Sequence, residues 1–165
     1  MSSTASKTPT PAGIPAATFT RVLDEGYGPG AWYGSDLRAA TADVGPQMAF
    51  RRPGEGRRSI AEIALHHAYW AGEIERKLSG GPARPFPLEG EDWFDLPDGS
   101  RLSWASVQAT LEAAHDRLSR TVEAIAAGRA PSPLGEAERF DLVLGITGHA
   151  AYHAGQIQLV KKLVG

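Results

Sequence analysis

Apolar residues recur at intervals of three and four along most of the chain, which is the spacing of one face of an α-helix. Four long stretches show this period, over residues 31–45, 59–79, 104–127 and 138–164, and a short fifth covers 18–24. No segment alternates apolar and polar residues in the way that a half-buried strand does. The pattern therefore predicts an all-α protein, a four-helix bundle with long connections.

Glycine and proline mark the breaks between these stretches. The longest break, over residues 80–99, predicts an irregular connection of about 20 residues, well above the usual loop length. Ser59 and Glu62 have the spacing of a capping box, in which each side chain accepts from a backbone N–H that the first helical turn leaves unpaired. The second long helix is therefore expected to begin at Ser59.

Composition limits the class of protein. The chain has 165 residues, 42% hydrophobic and 22% charged, the balance of one globular domain. The formal net charge of −2 lacks the basic surplus typical of nucleic-acid-binding domains, so we expect no nucleic-acid partner. Residues 1–15, rich in Ser, Thr, Pro and Ala, are interpreted as a disordered N-terminal tail, and 16–165 as the single helical domain.

The chain carries no pattern typical of a membrane protein. No apolar run approaches the roughly 18 residues that a transmembrane helix needs. The N-terminus also lacks the basic start and apolar stretch of a secretory signal. We therefore expect a cytoplasmic protein with no membrane partner.

Cysteine is absent, which excludes disulfide scaffolds, thiolate zinc sites, iron–sulfur clusters and a cysteine nucleophile. A bound metal would have to be held by nitrogen and oxygen atoms. The candidate nitrogen ligands are the five histidines: His66, His67, His115, His149 and His153.

Three of these histidines fall on the apolar faces of two predicted helices. His149 and His153 are four residues apart, so their imidazoles stack on one face, in the centre of the apolar stripe. His66 or His67 would add a third ligand from the helix 59–79. On that helix His67 lies at the centre of the stripe and His66 at its edge, so the period leaves both open and slightly favours His67. Three histidines with one open position are typical of catalytic zinc sites, and imidazole also suits nickel and iron.

Two segments resemble motifs of one family. Residues 59–70 read SIAEIALHHAYW and residues 149–157 read HAAYHAGQI, and both are similar to segments of the DinB-like superfamily, also called YfiT-like metal-dependent proteins. Supporting similarities lie at residues 30–34, at Asp92 and Trp93, and at Trp104. The resemblance covers about residues 18–163.

The resemblance implies a DinB-like four-helix bundle, often a homodimer, with a divalent metal on His66, His149 and His153. Zinc or nickel is expected ahead of iron or manganese. His67 then becomes a group that orients a ligand or packs in the core. Gln156 and Tyr152 are expected to orient a ligand or contact a small-molecule substrate.

The resemblance also implies three functions. The favoured one is a metal-dependent transferase or isomerase that uses a low-molecular-weight thiol such as mycothiol or bacillithiol. The alternatives are a metal-dependent hydrolase of the YfiT type and a non-enzymatic, stress-associated protein that binds a metal or small molecule. No residue is assigned as general acid or base.

Two further groups of residues have the composition of a possible site. Glu112 and His115 match one Glu-x-x-His element of di-iron bundles, but no second element exists, so His115 is expected at the surface or its boundary. Four arginines cluster before the second long helix. They are interpreted as a solvated loop or, alternatively, as a clamp for an anion at the mouth of the site: Arg51, Arg52, Arg57 and Arg58.

Overall fold

The computed structural model describes residues 13–165, and this part of the chain is helical with no strand. Its helices are α1 (Ala16–Tyr27), α2 (Leu37–Ala42), α3 (Pro46–Phe50), α4 (Ile60–Ser79), α5 (Trp104–Ala126) and α6 (Glu136–Val164). The prediction of an all-α fold is confirmed. Most of the predicted N-terminal tail, residues 1–12, lies outside the described residues.

Four of the helices, α1, α4, α5 and α6, form the bundle. Helix α4 packs between α5 and α6, and α1 contacts the same two helices on the opposite side. Each long helix directs its apolar stripe inward, and burial of each large aliphatic side chain contributes about 1.5–3 kcal/mol. The largest fully buried aliphatic side chains are Leu37, Ile60, Leu65, Leu78, Leu96, Leu118 and Ile157.

The prediction of one long helix over residues 31–45 is wrong. Residues 31–36 are not helical, the short helix α2 occupies only part of the range, and the next short helix, α3, begins just beyond it at Pro46. Asp36 starts α2 by accepting a hydrogen bond from the N–H of Ala39 at 2.8 Å. Gly45 and Pro46 then begin α3, because proline is tolerated in the first turn of a helix but not within one.

The fourth helix of the bundle is instead α1, which the pattern predicted only as a short helix over residues 18–24. Phe19, Leu23 and Tyr27 are four residues apart and all buried. Gly26 lets α1 approach α6 closely, because a Cβ at this position would lie 2.5 Å from the carbonyl oxygen of Thr147. The apolar period of α1 was correctly recognised, but its length and its place in the core were not.

The predicted capping box at the start of α4 is confirmed. The N–H of Glu62 donates to Ser59 Oγ at 3.3 Å, and the N–H of Ser59 donates to Glu62 Oε2 at 2.8 Å. Glu62 is fully buried, and it also accepts from the Arg52 guanidinium at 3.1 Å and from the N–H of Leu96 at 3.2 Å. Burial raises the pKa of Glu62, but these hydrogen bonds outweigh it and the net pKa is lowered. The Glu62 carboxylate therefore connects Arg52, in the loop before α4, and Leu96, in the α4–α5 connection, to the first turn of α4.

Helix α6 has 29 residues, which is long enough to cross a bilayer by length alone. Its composition is mixed, with Glu136 and Glu138 in the first turn and Lys161 and Lys162 in the last. None of the helices within residues 13–165 combines the length and the apolar run that a membrane span requires.

Candidate metal centre

Three imidazoles from two helices converge near the start of α4. His66 lies in the second turn of α4, and His149 and His153 lie one turn apart on α6. His149 Nε2 is 3.1 Å from His66 Nε2 and 3.0 Å from His153 Nε2. Nitrogen ligands roughly 2.0–2.1 Å from one ion, at angles between octahedral and tetrahedral, are roughly 2.8–3.4 Å apart. The three histidines could therefore hold a metal ion.

The far nitrogen of His66 is fixed by Asp92. His66 Nδ1 lies 2.9 Å from the Asp92 carbonyl oxygen, which can only accept, so Nδ1 carries the proton and neutral His66 presents a lone pair at Nε2. The Asp92 backbone is in the left-handed region (φ 64°), which aspartate tolerates better than most residues. Trp70 Nε1–H donates to Asp92 Oδ1 at 2.7 Å and holds the residue in place.

His153 is oriented in the same way by an amide. His153 Nδ1 donates to Gln156 Oε1 at 2.7 Å, and Gln156 Nε2 donates to the Tyr152 hydroxyl at 2.9 Å. The proton on Nδ1 leaves the lone pair of His153 on Nε2, on the side of the other two imidazoles. Gln156 thus contacts a candidate ligand directly, and Tyr152 contacts Gln156.

His67 is placed behind His149. The two Nδ1 atoms are 2.9 Å apart, and His67 is only 2% exposed. A lone pair on His149 Nε2 requires the proton on His149 Nδ1, which then donates to His67 Nδ1. The structure therefore brings His66 into the group of converging Nε2 atoms, while the Nδ1 of His67 is occupied by its contact with His149.

The imidazoles of the group are neutral at pH 7. Burial lowers the pKa of His149 to about 3, with a further contribution from the neighbouring His153 and His66. Burial lowers the pKa of His153 to about 4 against the opposing hydrogen bond to Gln156, and it also lowers the pKa of His66 against the opposing Asp92. A metal binds the neutral imidazole, so protons compete little with a metal for these nitrogens at pH 7.

An aromatic ring covers one side of the group. The indole of Trp93 stacks on the His66 ring with centroids 3.8 Å apart and planes within 5°. The guanidinium carbon of Arg58 also lies over the Trp93 ring, 4.9 Å from the ring centroid. Asp92 and Trp93 both come from the irregular α4–α5 connection, so helical periodicity could not identify them. Their resemblance to a family motif is the one signal in the sequence that points to them.

His115 does not join the group. The expectation of a surface or boundary position is wrong, because the residue is buried and its ring stacks on Tyr27 at 3.8 Å. Glu112, the other member of the Glu-x-x-His pair, accepts hydrogen bonds from Tyr27 and Arg38. This pair belongs to the packing between α1, α2 and α5.

The four arginines separate into two pairs. Arg51 donates to the carbonyl oxygen of Val164, and Arg52 pairs with Glu62 and Asp95, so both are bound by the fold. Arg57 and Arg58 are exposed and line a groove beside Trp93. Arg58 also contacts Trp93 and Glu62, so the interpretation as a solvated loop describes only Arg57 without qualification.

A helical bundle in which three imidazoles from two helices turn their lone pairs toward one point is a candidate metalloprotein of the histidine-ligated type. A model of the DinB superfamily matches residues 32–157, more than half of the chain and all of the candidate ligands. The chain belongs to the DinB superfamily, whose members are in general metal-binding proteins. Searches of curated proteins and of solved structures each found no significant match.

Proposed function

We propose that this protein is a metal-dependent transferase that uses a low-molecular-weight thiol, with His66, His149 and His153 as the metal ligands. The observation that carries the proposal is the convergence of three Nε2 atoms, each opposite an Nδ1 that is already hydrogen-bonded. Zinc or nickel suits such a nitrogen donor set.

A divalent ion with three imidazole ligands and an open position lowers the pKa of a thiol or water bound there, which supplies a nucleophile at neutral pH. The chain itself orients the ligands. Asp92 holds His66, Gln156 holds His153, and His67 accepts from His149. Trp93 shields the His66 side of the site from water.

The preference for a thiol over water comes from the donor chemistry of the chain. The protein has no cysteine, so a sulfur nucleophile would have to arrive with a co-substrate. Thiolates bind zinc and nickel more readily than carboxylates or water do. A hydrolase that uses water at the same position, or a protein that only binds the metal, would give different outcomes in the experiment below.

Cobalt substitution tests this proposal. Co²⁺-loaded protein is titrated with 2-mercaptoethanol and, as a matched control, with ethylene glycol, which differs only in the sulfur atom. We expect a new near-ultraviolet sulfur-to-cobalt absorption band with the thiol alone, and no cobalt spectrum from His149→Ala. Exchangeable water without a thiol response would favour the hydrolase. If neither response is seen, the protein is one that only binds the metal.

A further inference from the structure

A groove of about 520 Å³ lies against the candidate metal centre, a volume typical of small-molecule sites. We name it the arginine–leucine groove after the side chains that define it: Arg57, Arg58, Trp93, Gln156, Leu159 and Leu163. Two of these touch candidate metal ligands, since Trp93 stacks on His66 and Gln156 bonds to His153. None of the three candidate ligands lines the groove itself, so a molecule in the groove would be separated from the metal centre by the side chains of Trp93 and Gln156.

One wall of the groove is cationic. Arg58 is held over the face of Trp93, and its Nη1 is 3.5 Å from Glu62, a carboxylate that Arg52 already engages. None of the salt bridges among residues 13–165 involves Arg57. None of the described residues that line the groove is acidic. Arg57 therefore has no carboxylate partner in the described part of the chain, and Arg58 shares Glu62 with Arg52, so this wall carries a net positive charge that could pair with an anion.

The part of the groove lining that α6 contributes is largely apolar and unusually exposed. Leu159 and Leu163 are one turn apart on α6, and they are 58% and 62% exposed. Ile63 and Val160 continue the apolar surface toward the base of the groove. A hydrocarbon chain laid along this wall would remove the leucines from water, at about 25 cal/mol per Å² of apolar surface buried.

We propose that the arginine–leucine groove binds a small amphipathic organic anion. Its carboxylate or phosphate would pair with Arg57 and Arg58, and its hydrocarbon part would lie on Leu159 and Leu163. This inference rests on the proposed function, because it names the chemical class of substrate that would be held next to the two side chains, Trp93 and Gln156, that contact the metal ligands. The positive charge of the arginines favours an anionic group, and the exposed leucines favour a hydrocarbon part.

Calorimetric titration of the metal-loaded protein tests the groove. The probes are octanoate, octyl phosphate, acetate and octylammonium. We expect octanoate or octyl phosphate to bind at least tenfold more tightly than acetate and octylammonium, and the stronger of the two identifies the anionic group. Arg57→Gln should weaken that binding at least tenfold, and Leu163→Ser should weaken the octyl anions but not acetate.

The matched control is Arg129→Gln, which removes a guanidinium that pairs with Glu123 far along the chain from the groove. It should bind the octyl anions like the unaltered protein. Arg57 is chosen over Arg58 because the latter also contacts the buried Glu62, so its loss could disturb folding. Circular dichroism verifies that each variant is folded.

Three outcomes would overturn the groove proposal: no binding of either octyl anion, equal affinity for octylammonium, or unchanged affinity in Arg57→Gln. The proposal would also be overturned if a second copy of the chain covered the leucines. Light scattering would then show a dimer, Leu163→Ser would dissociate it, and the dimer would not bind octanoate. Metal content, measured on the same samples, separates this test from the proposed function. Arginine-dependent binding of octanoate without bound metal would support the groove and refute the metal-dependent reaction.

Discussion

The protein buries imidazoles in two regions, and only one of them is arranged for metal binding. In the first region His66, His149 and His153 direct their Nε2 atoms toward a common point. In the second, His115 lies flat against the ring of Tyr27 at 3.8 Å. Burial lowers the pKa of His115 to about 4, and it lowers the pKa of His153 to about 4 as well.

Burial and a lowered pKa therefore do not distinguish a candidate ligand from a packing residue. Both follow from removal of the charged form from water. The difference lies in what the opposite ring nitrogen does. Asp92, Gln156 and His67 each hold the Nδ1 of one histidine, which leaves the three Nε2 lone pairs facing one another. Neutral lone pairs that face one another repel, and a shared cation removes this repulsion.

The largest expected difference between the two regions is in metal content. His149→Ala and His153→Ala should each abolish stoichiometric metal binding, because two imidazoles with one on each helix form a much weaker site. His115→Ala should retain one metal per chain. Elemental analysis after dialysis against the metal-free buffer measures the outcome.

Each of the three variants removes one imidazole, and they differ only in its position. His115→Ala therefore controls for the loss of a buried imidazole outside the candidate metal centre. Equal metal content in all three proteins would refute the assignment of His149 and His153 as ligands. Retention of metal in His67→Phe, with loss in His66→Ala, would separate the two neighbouring histidines of α4.

A smaller difference is expected in thermal stability. A metal that binds only the folded protein, at 100 times its dissociation constant, stabilises it by about 2.7 kcal/mol. The unaltered protein and His115→Ala should both show this gain on addition of zinc, while His153→Ala should not. Differential scanning calorimetry with and without EDTA compares them. A zinc-dependent gain in His153→Ala would place the metal elsewhere.

The fold could be predicted from sequence where apolar periodicity and capping agree. Ser59 and Glu62 fixed the start of α4, and the long helices followed the stripes of their aliphatic residues. The exception was 31–45, where apolar residues suggested one long helix. There Asp36 caps the short helix α2, and Pro46 begins a separate helix just after the range, so both local effects override the period.

The candidate site could be predicted only as far as its helical residues. Spacing identified His149 and His153, but it favoured His67 over His66 because a helical wheel reports the face and not the direction of a ring nitrogen. Asp92 and Trp93 lie in the irregular α4–α5 connection, and their position depends on tertiary contacts such as that of Trp70 with Asp92. Sequence periodicity carries no information about such contacts.

The orientation of His153 gives a third prediction. Gln156→Leu removes the acceptor of the Nδ1 proton at similar volume, and loss of such a partner typically lowers metal affinity 10–100-fold. Gln156→Glu retains an acceptor and should keep most of the affinity. Competition with a chromophoric chelator measures the dissociation constants. Equal affinity in the leucine and glutamate variants would show that the hydrogen bond does not position His153.

The smallest expected effect is on the pH dependence of stability, which both regions influence when the metal is absent. The pKa of His115 is about 4 in the folded protein and near its ordinary value of 6.5 in the unfolded chain. Between these two pH values His115 is therefore protonated in the unfolded chain but neutral in the folded protein, which favours unfolding. The contribution of His115 to stability is therefore complete above about pH 6.5 and falls as the pH decreases toward 4. His115→Gln cannot titrate, so its urea midpoint should decrease less between pH 7 and pH 5 than that of the metal-free unaltered protein. The remaining decrease in the variant reflects the other four histidines, His66, His67, His149 and His153, because burial lowers the pKa of each of them as well. An identical pH dependence in both proteins would mean that His115 is not held neutral by burial, and the similarity between the two regions would fail at that point.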